Sequence, residues 1–311
     1  MRKYFTNKLT FLLALSTFIM CFSVSAQTFS NEKIWGGEFR SDGVWGIRSM
    51  ASGTHYTTSG LTEEEGSSIN MYSYKSGEKV ATIVTSLEAF EDAREYITDY
   101  FFSADERFIL LTTNTNSLYR HSFYADYYIY DTQSTELAKP LTDFSKGQQR
   151  LAAFSPSADK VAFVRNNNVF IANLLEGSET QVTNDGLANS IINGATDWVY
   201  EEEFGDDNGM KWSPDGNKLA YYRFDESAVK EMHMPMYGGL YPELDTFKYP
   251  KAGEVNSDVQ VFIHDLSTGV NHGVAVTKSA HYIPRFFWTK DVEQLCILTM
   301  NRHQNDLRFL L

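Results

Sequence analysis

The sequence predicts an all-β chain assembled from one repeated four-strand unit, and three observations carry that prediction. Short β-type runs and turn signals dominate, with 18 Tyr and 22 Phe in 311 residues, while long stretches of 3.6-residue periodicity are scarce. One pattern recurs: an aromatic residue, a small or polar turn, then an apolar strand. Most copies are followed by a second hairpin.

The copies run in order along the chain. Phe39-Arg40-Ser41-Asp42-Gly43 reads as a degenerate first copy. Phe102-Ser103-Ala104-Asp105 precedes Phe108-Ile109-Leu110-Leu111, and Phe154-Ser155-Pro156-Ser157 precedes Val161-Ala162-Phe163-Val164. The clearest copy, Trp212-Ser213-Pro214-Asp215-Gly216, precedes Leu219-Ala220-Tyr221-Tyr222; a weaker one, Trp288-Thr289-Lys290-Asp291, precedes Leu295-Cys296-Ile297-Leu298. The markers are spaced by 63, 52, 58 and 76 residues. Second hairpins are expected at Tyr127 to Asp131 with the turn Gln133-Ser134-Thr135, at Val169 to Ala172 with Glu176-Gly177, and at Val259 to His264 with Ser267-Thr268-Gly269. Four strands every 40 to 60 residues or so is the signature of a β-propeller. The 58- and 76-residue units exceed a minimal blade and must carry insertions: the first holds the acidic segment described below, the second Met232 to Asn256. The aromatic-turn motif itself reads as blade structure, the ring packing between blades and the turn residues bending the hairpin.

The N-terminus reads as a secretory leader. Arg2, Lys3 and Lys8 precede an apolar run from Leu9 to Phe22, and Val24-Ser25-Ala26 supplies a small-residue cleavage pattern, so the mature chain would begin near Gln27. The run is too short for a stable span, so no membrane span is expected after cleavage. The expected organisation is a leader over 1–26 and an incomplete propeller over 27–311. Removal of the leader takes three cations and no acid, moving the formal charge from -13 to -16. A chain this acidic is a poor partner for nucleic acid, which needs basic patches. Only Cys296 remains, so no intrachain disulfide framework is possible.

Recognisable catalytic apparatus is absent from these 311 residues. There is no Gly-x-Ser-x-Gly elbow, no His-Glu-x-x-His, no cysteine cluster, no histidine pair at metal-ligand spacing and no phosphate loop. No catalytic residue, metal or cofactor is therefore expected here. Binding chemistry is present. Asp197-Trp198-Val199-Tyr200-Glu201-Glu202-Glu203-Phe204 sets three carboxylates after two aromatic rings, with Asp197 as a helix N-cap. A carboxylate held against apolar rings suits a substrate cation: an ammonium about 4 Å away gains roughly 4 kcal/mol at an effective dielectric near 20, before desolvation. Acidic triplets are more often solvated helix ends, however. The chain carries its own control in Glu63-Glu64-Glu65, which lacks an aromatic partner and reads as an exposed loop.

Three segments decide between these readings: Asn193 to Glu203, Tyr249-Pro250-Lys251-Ala252-Gly253-Glu254-Val255-Asn256, and Tyr119-Arg120-His121-Ser122-Phe123 through Asp131. In this order and spacing they resemble the dipeptidyl peptidase IV group of the prolyl oligopeptidase family of serine peptidases, over roughly residues 40–311. The resemblance implies an eight-bladed propeller that caps a C-terminal α/β-hydrolase domain. This chain would supply about five blades, with the hydrolase domain and its triad missing. It implies that Glu202 and Glu203 bind the free N-terminal ammonium of a peptide, and that Arg120 contacts a substrate backbone carbonyl. The expected reaction releases X-Pro or X-Ala dipeptides from free N-termini, in a bacterial periplasmic or cell-surface protein whose full-length form is a homodimer. Because the chain stops after Leu310-Leu311 in what should be a later blade, it is expected to be an N-terminal fragment. The alternative is a non-catalytic secreted propeller that binds peptides or protein partners.

Overall fold

The computed structural model describes residues 29–41, 43, 46–64, 66–92, 94–134, 136–276 and 281–311. The expected leader over 1–26 lies outside them, as do Asp42 and Glu65. The chain divides into two units, Met1–Trp45 and Gly46–Leu311. In the first, a short helix α1 (Asn31–Trp35) is capped by Ser30, whose side chain accepts from the Lys33 N–H.

The second unit is a succession of antiparallel sheets. Strands β1 (Arg48–Ser49), β2 (His55–Thr62), β3 (Gly66–Ser73) and β4 (Lys79–Thr85) pair in sequence order, followed by a one-turn helix α2 (Ser86–Ala89). The next two sheets are β5 (Asp99–Phe102), β6 (Phe108–Ser117), β7 (Phe123–Asp131), β8 (Lys139–Pro140), and β9 (Arg150–Phe154), β10 (Lys160–Arg165), β11 (Asn168–Asn173), β12 (Ser178–Gln181). The fourth sheet is interrupted twice. Helix α3 (Trp198–Glu202) lies between β13 (Ile191–Asn193) and β14 (Met210–Trp212), which both pair with the long β15 (Lys218–Asp225). A separate hairpin, β16 (Glu231–Met236) with β17 (Glu243–Lys248), precedes β18 (Asp258–Asp265) and β19 (Val270–Gly273). A three-stranded sheet of β20 (Tyr282–Trp288), β21 (Leu295–Met300) and β22 (Leu307–Leu310) follows.

Period-two alternation decides how these sheets stack. On β6, Ile109 and Leu111 join Ile69, Val84 and Tyr100 in a core shared with the first sheet, while Leu110 between them joins Tyr127, Val161 and Phe163 in a core shared with the third. On β10, Val161 and Phe163 face the second sheet, and Ala162 and Val164 face the fourth alongside Leu219, Tyr222 and Val261. Each central strand therefore buries both faces against successive neighbours, at roughly 1.5–3 kcal/mol per large side chain. Sheets that meander and stack face to face in chain order are propeller blades; the chain forms a partial β-propeller.

The aromatic-turn motif links the first two strands of a blade. The N–H of Ser103, Ser155, Ser213 and Thr289 donates to the carbonyl five residues on, at 2.8–3.0 Å. Ser103, Ser155 and Ser213 also accept through Oγ from the N–H of Phe108, Lys160 and Lys218. The rings bridge blades as expected: Trp212 Nε1 donates to Ala153 O at 3.1 Å and Trp288 Nε1 to Lys211 O at 2.9 Å. The first copy needs correction. Phe39-Arg40-Ser41 contributes no strand; the equivalent turn is at Met50, whose N–H donates to His55 O at 3.0 Å. Ser49 stands there where the later blades place an aromatic residue.

Candidate functional site

Helix α3 is local in origin. Asp197 Oδ1 accepts from the Tyr200 N–H at 3.0 Å, so it caps the helix as its sequence position implied, and its Oδ2 accepts from Ser257 Oγ at 2.7 Å. Full burial pushes the Asp197 carboxyl above its ordinary range, with the Ser257 hydroxyl and the Tyr200 N–H opposing the shift. Gly205, at φ 61°, ends the helix, and its N–H bonds to Glu201 O at 3.1 Å. Tyr200 anchors the helix from beneath: its hydroxyl accepts from the Ile283 N–H at 2.8 Å, and its ring packs edge-on against Phe224 and Tyr222.

Arg120 arrives from the second blade. It sits at the tip of the β6–β7 hairpin, in the turn closed by the Leu118 N–H on Ser122 O at 2.8 Å. A bulge between Thr113 and Asn116, with Asn114 at φ 48°, re-aims this hairpin. The third blade holds it there, because Gln148 accepts from Asn116 Nδ2 at 2.8 Å and donates to Asn114 O at 2.7 Å.

Consecutive helical residues point about 100° apart, so Glu201 and Glu202 of α3 and Glu203 at its C-cap meet three environments. Glu201 turns inward and is 1% exposed. Its Oε1 accepts from the backbone N–H groups of His121 and Ser122 at 2.7 and 2.9 Å. Glu202 is half-buried, with Oε2 3.1 Å from Arg120 Nε. Glu203 is exposed and makes no ion pair among the described residues. The Arg120 side chain is 71% exposed, leaving donors of its guanidinium fork directed at solvent. The control triplet behaves differently: Glu63 and Glu64 lie exposed in the β2–β3 turn.

The segment Tyr249 to Asn256 completes the cluster. Tyr249 packs on Trp198 with ring centroids 4.3 Å apart, and Phe247 lies 6.0 Å from Tyr119. Beneath them Glu226 is buried, and burial together with the nearby Asp197 pushes its carboxyl up to about 7. The three segments singled out in the sequence, each from a different connection, thus meet at one place. Sequence reasoning assigned no individual role to Glu201 or Glu226. Glu201 sits inside the triplet, but nothing in its identity distinguishes an inward carboxylate from its neighbours.

Fold and site together define a partial β-propeller whose insertions gather two glutamates and an arginine at one place. Residues 103–311 match the family described as dipeptidyl peptidase IV N-terminal region, and the chain belongs to that family. It is 37% identical over 202 residues to a probable dipeptidyl peptidase 4 of Aspergillus fumigatus, covering 61% of this chain and 26% of that protein. It is 36% identical over 219 residues to the mouse prolyl endopeptidase FAP, covering 67% and 28%. The crystal structure of Porphyromonas gingivalis dipeptidyl peptidase 4 superposes with a TM-score of 0.83 at 43% identity, covering 91% of this chain and 40% of that one. The chain spans about a quarter of the length of the curated relatives it matches.

Proposed function

We propose that this chain is the substrate-recognising propeller of a serine exopeptidase that releases X-Pro or X-Ala dipeptides from free peptide N-termini. Glu202 and Glu203 receive the terminal ammonium, Arg120 receives a backbone carbonyl, and the nucleophile comes from a hydrolase domain outside these residues. The observation that carries the reading is the pairing of Arg120 with Glu202 across 82 positions of sequence and two blades, 3.1 Å apart and open to solvent. A fork of donors held by one carboxylate keeps its orientation and can still serve a carbonyl, whereas a lysine offers only a point charge. Anchoring the ammonium fixes the scissile bond two residues away, which accounts for a dipeptide product.

Secretion to the periplasm or cell surface belongs to the same proposal and rests on the leader pattern of residues 1–26. A homodimer of the complete protein also belongs to it, supported by the β16–β17 hairpin with its exposed Met236, Tyr237, Leu240, Tyr241 and Leu244.

The test is kinetic, in the complete peptidase. A charged hydrogen-bonded contact contributes about 1.5–3 kcal/mol, so Glu202→Ala or Glu203→Ala should each lower kcat/KM on a Gly-Pro anilide by about 10- to 100-fold. Glu63→Ala should leave it unchanged. Equal losses at Glu63 and Glu203, or full turnover of an N-acetylated substrate, would remove the basis for the reading.

A further inference from the structure

We propose that Glu201 is a positioning residue that holds Arg120 over the acidic helix, an inference that rests on the binding role proposed for Arg120. Its Oε1 takes both consecutive backbone N–H groups that follow Arg120, so one carboxylate oxygen fixes the chain direction out of the arginine. No other side-chain hydrogen bond among the described residues joins α3 to this turn, and the second link is the Arg120–Glu202 ion pair itself. The two links lie on adjacent residues of α3 and adjacent residues of the β6–β7 turn. Together they set the turn's position and the direction in which the guanidinium leaves it.

Stability alone does not account for a carboxylate at this position. Glu201 is 1% exposed, no cation pairs with it among the described residues, and its Oε2 is buried without a hydrogen-bond partner. A buried charge with one unsatisfied oxygen is a poor contributor to folding free energy. What it supplies is geometry: two charge-assisted bonds from donors in a fixed fork. Gln148 holds the hairpin only at Asn114 and Asn116, so without Glu201 the turn beyond them would gain orientational freedom, and each misplacement of Arg120 would cost rate through lost alignment.

The proposal is tested in the complete peptidase with Glu201→Ala, Glu201→Gln, Arg120→Ala and the Glu201→Ala/Arg120→Ala double variant. For each, kcat and KM on a Gly-Pro anilide are measured together with the melting temperature. Glu201→Ala should lower kcat/KM by about tenfold or more, as Arg120→Ala does, and the double variant should be no more than about twofold worse than Arg120→Ala alone, because both changes remove one interaction. Glu201→Gln, which keeps an acceptor oxygen, should recover most of the loss. Losses that multiply in the double variant would show Glu201 acting independently of Arg120 and would overturn the proposal. Wild-type rates for Glu201→Ala beside an impaired Arg120→Ala would overturn it equally. Wild-type rates for Arg120→Ala would instead bring down the underlying reading of Arg120. If Glu201→Ala does not fold, Glu201→Asp carries the test: it keeps the charge but retracts the acceptor by one methylene, so the same loss is expected and full activity overturns the proposal.

Discussion

Glu226 shows how the ground beneath the site couples to pH. It lies directly after β15, buried, with Asp197, Asp225, Lys248 and Tyr119 as the charged and titratable groups around it. Burial and the Asp197 charge raise its carboxyl to about 7, from 4.5 in an unconstrained chain, while Lys248 opposes the shift. The folded state therefore holds a proton that the unfolded state has released. That stabilisation is complete below about pH 4.5 and is lost as pH rises through about 7, amounting to about 3 kcal/mol at most. Thermal melts of the complete protein should show stability falling between pH 5 and 8. In Glu226→Gln the fall should shrink, leaving the Asp197 contribution, and the variant should melt several degrees above wild type at pH 8. An unchanged pH slope in Glu226→Gln would place Glu226 in contact with solvent and refute this account. The same residue-scale chemistry limits what sequence can tell about the glutamate triplet. Asp197 was legible as a cap because capping depends on local spacing. The division of labour among Glu201, Glu202 and Glu203 depends on which direction of α3 faces the β6–β7 turn, a tertiary fact.

At the scale of elements, blades two to five were legible because the same turn joins strands early in each, and the turn's chemistry is written locally in a Ser or Thr two to four residues from an acid. The first blade escaped because its turn at Met50 lacks both the aromatic residue and the Ser-Asp pair, although Gly53, at φ 64°, holds the place that Glu106, Ala158 and Gly216 hold later. The β16–β17 hairpin was recognised only as an insertion. Its strands are largely exposed, so no inward face imposes an alternation on the sequence. Gly194, in the connection from β13 to α3, is where an element can be broken by one methyl group. Its φ is 75°, and an added Cβ would come within 2.6 Å of Val169 Cγ2 and 2.9 Å of Val164 Cγ2 in the third blade. Left-handed strain and overpacking together put Gly194→Ala at about 2–4 kcal/mol of destabilisation in urea unfolding of the complete protein. Gly177→Ala has a similar φ of 62° but open space around it, and should cost only about 1–2 kcal/mol. Equal effects at the two positions would mean that the approach of β13 to the third blade is looser than the structure describes.

At the scale of the whole molecule, each blade's stability depends on having a neighbour. The second, third and fourth blades bury both faces, as the alternation on β6 and β10 requires. The first and fifth sheets carry exposed apolar side chains: Leu61, Tyr74 and Val80 on one, and Phe287, Leu307 and Phe309 on the other. Propellers remove such surfaces by closing the ring, and three four-stranded blades, a five-stranded fourth and a three-stranded fifth do not close an eight-bladed one. Residues 27–311 produced alone should therefore associate through these faces, giving aggregates or a broad oligomer in light scattering. They should also release no dipeptide from Gly-Pro substrates, since no activated nucleophile can be built from Glu202, Glu203 and Arg120. Under the proposed function peptide N-termini should still bind, because the Arg120 turn and α3 belong to the second and fourth blades, the part of the chain that is packed on both sides. A cooperatively melting monomer would show that the first and fifth sheets are stable without further neighbours. Dipeptide release by that monomer would place a catalytic centre within these residues.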